Sequence, residues 1–306
     1  MGIFIRRRLA MGWLPDYPDF RDMTIEHDDV SLRMKGLGQT DSVKKMLAKT
    51  GAVKITKPNL PASVSLIPWF SPIEDQGNLG SCTANAGVGL VEYFERRAFG
   101  KHSDASRLFL YKTTRNMMQE KGDTGAFLRT TMGAMVLFGL PPETYWPYNE
   151  DAFDKEPSAF CYAYAQNYQS ISYYRLDPPG TKPDELLNRI KTNLVAGLPS
   201  MFGFTVYNSI VQANDSGKIP FPTKGDKIAG GHAIVVAGYD DKMKIKNTTA
   251  GAKETVGALL IRNSWGIDWG DNGYGWLPYE YVLRGLADDW WSLLKNEWVD
   301  SGHFKV

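Results

Sequence analysis

Residues 76–100 read QGNLGSCTANAGVGLVEYFERRAFG and carry the clearest helix signal of the chain. Ser81 is of a type that caps helix N-termini, and Gly100 is typical of the residue at which a helix ends. Apolar residues recur between them at helical spacing: Ala84, Val88, Val91, Tyr93 and Phe94. The sequence therefore predicts a helix that begins at Cys82, directly after a glycine-rich loop.

The periodicity on either side of this helix predicts two kinds of structure. Further helices are predicted at residues 106–118, 128–138 and 184–195. After Gly197, β-branched and aromatic runs predict an antiparallel sheet: SMFGFTVY (200–207), HAIVVAGYD (232–240), ALLIRNSW (258–265) and YGWLPYEYV (274–282). The polar residues 240–257 are expected to form a long hairpin loop. Helices first and strands second indicate an α+β protein with two lobes, at about 75–196 and about 197–294.

The composition is that of a globular chain. Its 306 residues are 43 % hydrophobic and 23 % charged, and the 35 Lys and Arg against 34 Asp and Glu give a formal net charge of +1. This balance offers no electrostatic reason to expect a nucleic-acid partner. No apolar run approaches the roughly 18 residues of a membrane span, and the N-terminus lacks the apolar stretch of a conventional secretion signal.

The cysteines and histidines limit the redox and metal chemistry that the chain can support. Cys82 and Cys161 allow at most one disulfide, and none if either does chemistry. The lack of a disulfide framework and of a secretion signal favours the cytoplasm and leaves unconventional export open. Cys161 is interpreted as a small packed residue. The histidines His27, His102 and His303 lack the spacing of metal ligands, so we expect no metal, and no organic cofactor is required.

Residues 1–58 differ from the rest of the chain. An arginine run at 6–8 is followed by WLPDYPDFRDMTIEHDD and by the weakly helical KGLGQTDSVKKMLAKTG. Few long apolar repeats occur there, so this extension is expected to pack on a body formed by residues 59–306.

The loop before Cys82 carries the strongest chemical signal. Unpaired amides and the dipole at a helix start favour an anion, so a thiol placed there ionises more readily and attacks carbonyl groups. The Cys82 amide and the Gln76 carboxamide can donate hydrogen bonds to the oxyanion that such an attack forms. The competing interpretation is a small buried cysteine after a glycine turn, which a Gly-Ser-Cys sequence alone favours.

Two further motifs supply partners for a reactive thiol. His232 begins an apolar strand, where an imidazole can take the thiol proton and later protonate a leaving amine. The amide of Asn263 can accept a hydrogen bond from that imidazole and orient it, and Trp265 can shield this bond from water. Taken singly, His232 more often has a structural role, and the turn after Asn263 fits a structural role equally well.

These three motifs, in this order along the chain, resemble the papain-like cysteine peptidases over roughly residues 60–294. GWLPDYPDFRD, LPASVSL, SRLFLY, PETYWPY and SCTANA resemble more narrowly the bacterial, xylellain-like branch. The resemblance implies a two-lobed α+β fold with crossing termini, in which the active cleft separates a mainly helical lobe from an antiparallel sheet or barrel-like lobe. It also implies the catalytic roles: nucleophile for Cys82, acid and base for His232, orienter for Asn263 and oxyanion donor for Gln76.

The sequence departs from the family pattern at two positions. Leu79 stands where members commonly have a cysteine, which removes a structural disulfide, and Thr83 stands where a tryptophan commonly follows the nucleophile. Neither change deletes a reacting group.

The resemblance also implies a peptide-binding edge. Gly125 would offer backbone hydrogen bonds to an extended peptide and Phe127 would wall a second subsite, while a helix entry turn is the alternative for this stretch. Gly203 and Gly231 are expected to line the opposite side of the cleft.

The function that follows is hydrolysis of peptide bonds through a Cys82 thioester. Residues 1–58 are then a prosegment, and we hypothesise that part of it inhibits the enzyme by covering the cleft, with peptides or proteins as substrates. Two alternatives remain open at this stage. One is a peptide-binding or partner-docking module on the same scaffold, and the other is an acyl transferase that uses the same thiol.

Overall fold

The structure, a computed structural model, describes residues 9–52, 60–169 and 171–304 of the chain, so the arginine run at 6–8 lies outside the described residues. Its helices are α1 (Leu32–Gly36), α2 (Val43–Thr50), α3 (Cys82–Phe99), α4 (Arg107–Met118), α5 (Leu128–Phe138), α6 (Ala159–Ala165), α7 (Pro183–Val195), α8 (Tyr279–Leu283) and α9 (Asn296–Asp300). The four long helices predicted from periodicity are confirmed within one residue at each end.

The strands are β1 (Trp13–Leu14), β2 (Ser63–Ser65), β3 (Ala126–Phe127), β4 (Ser172–Arg175), β5 (Ser200–Tyr207), β6 (Ile228–Lys246), β7 (Glu254–Arg262), β8 (Tyr274–Pro278) and β9 (Ala287–Leu294). One seven-stranded sheet has the order β4-β9-β5-β6-β7-β8, with β2 added beside β6, and all its pairings are antiparallel. In the part of the chain that the structure describes, this sheet does not close into a barrel. The α+β, two-lobed prediction is confirmed.

The helix that begins at Cys82 ends as predicted but starts differently. Gly100 ends α3 in the left-handed conformation (φ +72°), and its amide donates to the carbonyl of Arg96. Ser81 is the N-cap residue, yet its hydroxyl makes no capping bond to the helix. It lies 2.6 Å from the Tyr148 hydroxyl instead. The first amides of α3 are therefore left available at the residue that carries the thiol.

Two predictions about the sheet are wrong. Residues 240–257 are not mainly a loop, because β6 continues to Lys246, β7 begins at Glu254, and the two strands pair along this polar stretch. The run YGWLPYEYV is a strand only as far as Pro278. Its last residues form α8, since Pro278 ends the strand and precedes the first turn of a helix.

The core lies between α3 and the sheet, and the aromatic C-terminal strand belongs to it. Trp290 and Trp291 on β9 are fully buried, and the Trp290 ring stacks on Phe202 with centroids 3.8 Å apart. The aromatic stretch of this C-terminal strand therefore packs in the core. No helix among residues 9–52, 60–169 and 171–304 has the length and apolar character needed to cross a membrane.

The N-terminal extension adds buried residues to this body. Val43, Met46 and Leu47 on α2 belong to the same hydrophobic cluster as the core of the sheet. Nearer the N-terminus, β1 pairs in parallel with β3, with Trp13 opposite Ala126. The extension thus contacts both lobes, and β1 brings it to the edge of the glycine-rich stretch before α5.

Candidate active site

Cys82 is the first residue of α3, and its side chain is fully buried. The amide of Ala233, the residue after His232, donates to Cys82 Sγ at 3.4 Å. The amide of Gly12 in the extension lies close enough to this sulfur to lower the pKa of the thiol. The fold therefore brings the thiol of α3, the start of the apolar part of β6 and the N-terminal extension to one point.

The loop before Cys82 is fixed by acidic side chains from neighbouring loops. The Gly80 amide donates to the Asp123 carboxylate at 2.9 Å, and the Asn78 amide donates to Glu150 at 3.0 Å. Gly77 has a left-handed backbone (φ +61°), and a Cβ there would lie 1.9 Å from Glu150 Oε1. The left-handed backbone favours glycine at this position, whereas the Glu150 carboxylate is the far end of a flexible side chain and can move aside.

Gln76 is fully buried and directs its carboxamide toward the extension. Its Oε1 accepts a 2.6 Å hydrogen bond from the Ser264 hydroxyl, which fixes the orientation of the amide. Its Nε2 donates to the carbonyl of Leu79 at 2.8 Å and to that of Ala10 at 3.4 Å. The predicted oxyanion donor thus meets a backbone carbonyl of the extension. Ser264 is a supporting residue that sequence reasoning missed.

The structure brings His232 and Asn263 together. His232 Nε2 lies 2.8 Å from Asn263 Oδ1, and the same oxygen accepts the Ser264 amide at 2.8 Å. Because that oxygen accepts from an amide, it is an acceptor toward the imidazole, and Nε2 carries the proton. His232 Nδ1 is buried and has no hydrogen-bond partner among the described residues. Nδ1, which carries no proton and has no partner, is therefore available as a base.

Trp265 covers the imidazole of His232. Its ring stacks on His232 with centroids 4.4 Å apart and planes 17° from parallel. Its indole N–H donates to the Ala10 carbonyl at 3.0 Å. The Trp265 ring therefore lies against the imidazole that contacts Asn263, and its indole N–H adds a second donor at the same carbonyl of the extension.

Burial keeps the thiol and the imidazole uncharged in this structure. Removal from water raises the pKa of Cys82 to about 11, although bonds from the amides of Ala233 and Gly12 act in the opposite direction. Burial likewise lowers the pKa of His232 to about 4, against the raising effect of Asn263. Near neutral pH both groups are neutral, and a neutral thiol is a poor nucleophile.

The four residues predicted to bind a peptide surround the extension. The Ala126 amide, next to Gly125, donates to the Gly12 carbonyl at 2.8 Å, and Phe127 pairs with Leu14. A Cβ at Gly203 would lie 1.9 Å from the Trp13 ring, and one at Gly231 would lie 2.7 Å from the Trp13 carbonyl. A segment of the same chain, residues 9–14, therefore lies between the two sides of the cleft.

The segment contains a buried anchor that sequence reasoning missed. Trp13 is 7 % exposed, and its indole N–H donates to Asp289 Oδ2 at 3.2 Å. Arg129 on α5 secures the next turn, with Nε 2.7 Å from Asp22 Oδ1 and a further ion pair to Asp16. These partners lie more than 100 residues from the segment, and no local pattern connects them.

The remaining candidates stay outside this site. Cys161 is a free, buried cysteine in a small cluster with Phe109 and Ala165, and its thiol bonds to the Tyr145 carbonyl at 3.6 Å. Across residues 9–52, 60–169 and 171–304, no group of three or more His, Cys, Asp or Glu is arranged to hold a metal ion.

Comparisons with known proteins find related sequences and a related fold. The model of the papain family of cysteine proteases matches residues 65–285. The structure of xylellain, a cysteine protease from Xylella fastidiosa, has 32 % sequence identity and a TM-score of 0.71, and the match covers 96 % of this chain and 99 % of that chain. An uncharacterized peptidase C1-like protein of Acanthamoeba polyphaga mimivirus is 31 % identical over 289 residues, which cover 92 % of this chain and 85 % of that protein.

A proform shares the fold at lower identity. The structure of digestive procathepsin L 3 from the larval midgut of Tenebrio molitor has a TM-score of 0.58 at 20 % identity, covering 78 % of this chain and 71 % of that chain. The family model covers more than half of the chain, and the relatives from Xylella and the mimivirus exceed 30 % identity over most of it. The resemblance inferred from the sequence motifs is confirmed, and the chain belongs to the papain family of cysteine proteases.

Proposed function

We propose that Cys82 and His232 hydrolyse peptide bonds through a thioester. The observation that carries this proposal is the 2.8 Å contact between His232 and Asn263 beneath Trp265, in a site where the residue after His232 donates to the Cys82 sulfur. This arrangement supports an oriented imidazole whose second nitrogen has no hydrogen-bond partner among the described residues.

The reaction begins when His232 Nδ1 takes the Cys82 proton. The thiolate attacks the carbonyl carbon, and the oxyanion accepts hydrogen bonds from the Cys82 amide and from Gln76 Nε2. As the C–N bond breaks, His232 returns the proton to the leaving amine and an acyl-thioester remains. Water then attacks the thioester while His232 removes one of its protons, the C–S bond breaks, and the carboxylic product leaves the regenerated thiol.

The second part of the proposal is that the protein is made as a precursor inhibited by its N-terminal extension. Residues 9–14 occupy the donors that a substrate needs: Ala10 accepts from Gln76 and Trp265, and Gly12 accepts from Ala126. Their presence also buries the thiol, whose raised pKa of about 11 leaves little thiolate at neutral pH. The inhibition is therefore both steric and electrostatic.

Displacement of residues 9–14 opens the cleft with a smaller loss of folding stability than removal of all of residues 1–58. The α2 side chains Val43, Met46 and Leu47 are at most 2 % exposed and belong to the core cluster. A chain that starts near Leu60 loses these buried groups, each of which stabilises the fold by roughly 1.5–3 kcal/mol. The test of inhibition consequently uses the full chain.

Gly12 offers a sharp test of both parts. A Cβ at Gly12 would lie 1.9 Å from the Gly80 carbonyl oxygen, so Gly12→Ala forces the segment out of the cleft. Gly36→Ala is the matched control, because a Cβ at Gly36 meets nothing within 4 Å. We expect a thiol-directed epoxide peptide to label Gly12→Ala at least about tenfold faster than wild type or Gly36→Ala, with the adduct on Cys82 by mass spectrometry.

The two parts of the proposal fail in different ways. Equal labelling and hydrolysis rates for Gly12→Ala and Gly36→Ala would reject inhibition by the segment. Labelling at Cys161, or peptide hydrolysis that persists in Cys82→Ala, would reject the catalytic assignment. A folded Gly12→Ala protein that binds peptides without cleaving them would favour the docking module, and transfer of the acyl group to added amines in preference to water would favour the transferase.

A further inference from the structure

The Trp13 side chain fills a pocket of defined shape beside the thiol. Gly203 and Gly231 form two of its walls, and neither leaves room for a side chain: a Cβ would lie 1.9 Å from the Trp13 ring at Gly203 and 2.9 Å from it at Gly231. Trp13 is one residue from Gly12, whose amide meets Cys82 Sγ. This indole pocket therefore accepts the side chain of the residue adjacent to the one at the sulfur.

Asp289 forms the polar end of the indole pocket. It is fully buried on β9, and its two oxygens have different partners. Oδ1 accepts the Trp291 indole N–H at 2.7 Å and lies 3.2 Å from Arg175 Nη1. Oδ2 accepts the Trp13 indole N–H at 3.2 Å.

The carboxylate is held in place by the backbone. Asp289 has a left-handed conformation (φ +64°), and its own amide donates to Asp177 at 2.9 Å. An aspartate tolerates this conformation at modest cost, whereas most residues do not. The side chain is thus fixed between Trp291 on one side and the indole pocket on the other.

Departure of the segment removes the Trp13 donor from Asp289 Oδ2. Water can enter the vacated pocket and bond to this oxygen. A ligand ring that displaces the water without supplying a donor leaves the carboxylate oxygen buried and unpaired, which is unfavourable. A site built to receive a hydrogen bond discriminates strongly against an analogue of the same shape that lacks the donor. The geometry requires a large flat ring with an N–H at its edge.

We propose that Asp289 is a specificity-determining residue and that the indole pocket selects tryptophan in the substrate, next to the residue at the scissile bond. This inference rests on the proposed function of Cys82 and adds a side-chain preference to it. Arg175 already lies against Oδ1, so the free oxygen is suited to a neutral donor rather than to a second guanidinium.

The decisive measurement compares two fluorogenic peptides in the full-length Gly12→Ala protein. One carries tryptophan at the tested position, and the other carries benzothienylalanine, which replaces the indole N–H by sulfur and keeps the ring shape. We expect kcat/KM to be at least about tenfold higher for tryptophan. A peptide with arginine at this position should be cleaved more slowly than the tryptophan peptide.

Asp289→Asn should abolish this preference without changing the volume of the pocket. The Trp291 N–H holds the amide oxygen at the Oδ1 position, so the amide NH₂ faces the pocket and opposes an indole N–H. Asparagine also tolerates the left-handed backbone. We expect the ratio of kcat/KM between the two peptides to fall to about one or below. Asp288→Asn, the same change at the adjacent exposed position, should keep the wild-type ratio.

A double-mutant cycle on the segment itself provides an independent readout. Trp13→Phe removes the indole donor, so iodoacetamide should alkylate Cys82 several times faster than in wild type. In Asp289→Asn, where the donor already lacks its acceptor, Trp13→Phe should add little. Equal effects of Trp13→Phe in both backgrounds would contradict the role of Asp289, as would equal cleavage of the two peptides or faster cleavage of the arginine peptide.

Failure of the proposed catalytic function would give results different from failure of the specificity proposal. If neither peptide is cleaved and the epoxide peptide leaves Cys82 unmodified, the catalytic assignment fails, while the double-mutant cycle still decides whether Asp289 recognises the indole. Thermal unfolding of each variant establishes that the Asp289→Asn effects come from a folded protein.

Discussion

At the scale of single residues, the position of Cys82 at a helix start and its burial have opposite effects on the pKa of its thiol. The start of α3 favours a thiolate, whereas burial beneath residues 9–14 raises the pKa of the thiol to about 11. His232 is affected in the complementary way, since burial lowers its pKa to about 4. Both shifts have burial as their largest cause, so both should reverse when water reaches the site.

The pH dependence of alkylation tests this reversal. In wild type, the rate of reaction of Cys82 with iodoacetamide should rise only at strongly alkaline pH, because thiolate is scarce below a pKa of about 11. In Gly12→Ala the midpoint should fall below roughly 8.5, the ordinary value for cysteine. Peptide mapping separates Cys82 from Cys161. An identical midpoint in the two proteins would show that the segment does not control the thiol.

A second residue-scale prediction concerns Asn263. In the Gly12→Ala background, Asn263→Ala should lower kcat about 10–100-fold with a small change in KM, because it removes the group that orients His232 without touching the substrate. Asn167→Ala, at an exposed asparagine, is the control. A larger effect on KM than on kcat would indicate that Asn263 binds substrate instead of positioning the imidazole.

At the scale of elements, Arg129 on α5 holds the stretch of chain that directly follows residues 9–14. Its guanidinium makes two contacts of 2.7–2.8 Å with Asp22 and donates to the Tyr17 carbonyl at 2.7 Å. Both Asp22 and Tyr17 follow β1 in the extension. The helix that carries the proposed peptide-binding edge at its start therefore also holds the chain that covers this edge.

Arg129→Gln should loosen the segment and raise hydrolysis in the full-length protein about fivefold, since a partly exposed ion pair contributes about 1 kcal/mol. Arg189→Gln is the matched control: Arg189 pairs with Glu185, and its side chain is 24 % exposed against 25 % for Arg129. Initial rates with a fluorogenic peptide measure the effect. An equal change in both variants would assign it to general destabilisation.

The elements themselves were largely predictable, because their signals are local. The apolar periodicity of α3 and α5 spans only a few turns, and Gly100 and Gly139 mark the residues at which these two helices end. The hairpin of β6 and β7 was not predictable, since its outer part is largely polar and, apart from buried Ile245, Asn247 and Thr255, mostly exposed. Its pairing depends on the partner strand and on contacts such as the 3.1 Å ion pair between Lys244 and Glu254. Composition alone makes such a stretch resemble a loop.

At the scale of the whole molecule, the site could be predicted only in part. Cys82, His232 and Asn263 each lie in a short motif with a chemical meaning, so sequence reasoning found them. The contact between Trp13 and Asp289 joins residues 276 positions apart, and neither residue lies in such a motif. Contacts of this kind depend on how α3, β5 and β9 pack, which no single stretch of sequence specifies.

Folding stability as a function of pH tests a buried acid of the core. Burial raises the pKa of Glu92 on α3 from its ordinary value of 4.5 to about 7, against the effects of Ser71, Ala105 and Arg262, while Asp104 adds to the rise. The folded state therefore keeps a proton that the unfolded state loses above 4.5. Its stability should fall by about 3 kcal/mol as the pH rises from 4.5 through 7.

Glu92→Gln should remove this contribution, so that its urea unfolding free energy varies less between pH 5 and 8 than that of wild type. The difference between the two curves is the readout, because His232 contributes a change of opposite sign over part of this range. Glu120→Gln, at an exposed acid, should follow wild type. Parallel curves for wild type and Glu92→Gln would contradict the buried, protonated carboxyl.

The covalent link between β1 and the buried helix α2 has a kinetic consequence for the proposed inhibition. A blocking peptide that is tethered returns to the cleft by an intramolecular step, at an effective concentration that dilution does not change. The inhibited enzyme should therefore remain inhibited at any protein concentration. An excess of substrate should compete poorly with the tethered segment. Cleavage of the chain between β1 and α2 turns binding of the segment into an ordinary bimolecular equilibrium. A single cleavage would therefore commit the enzyme to activation.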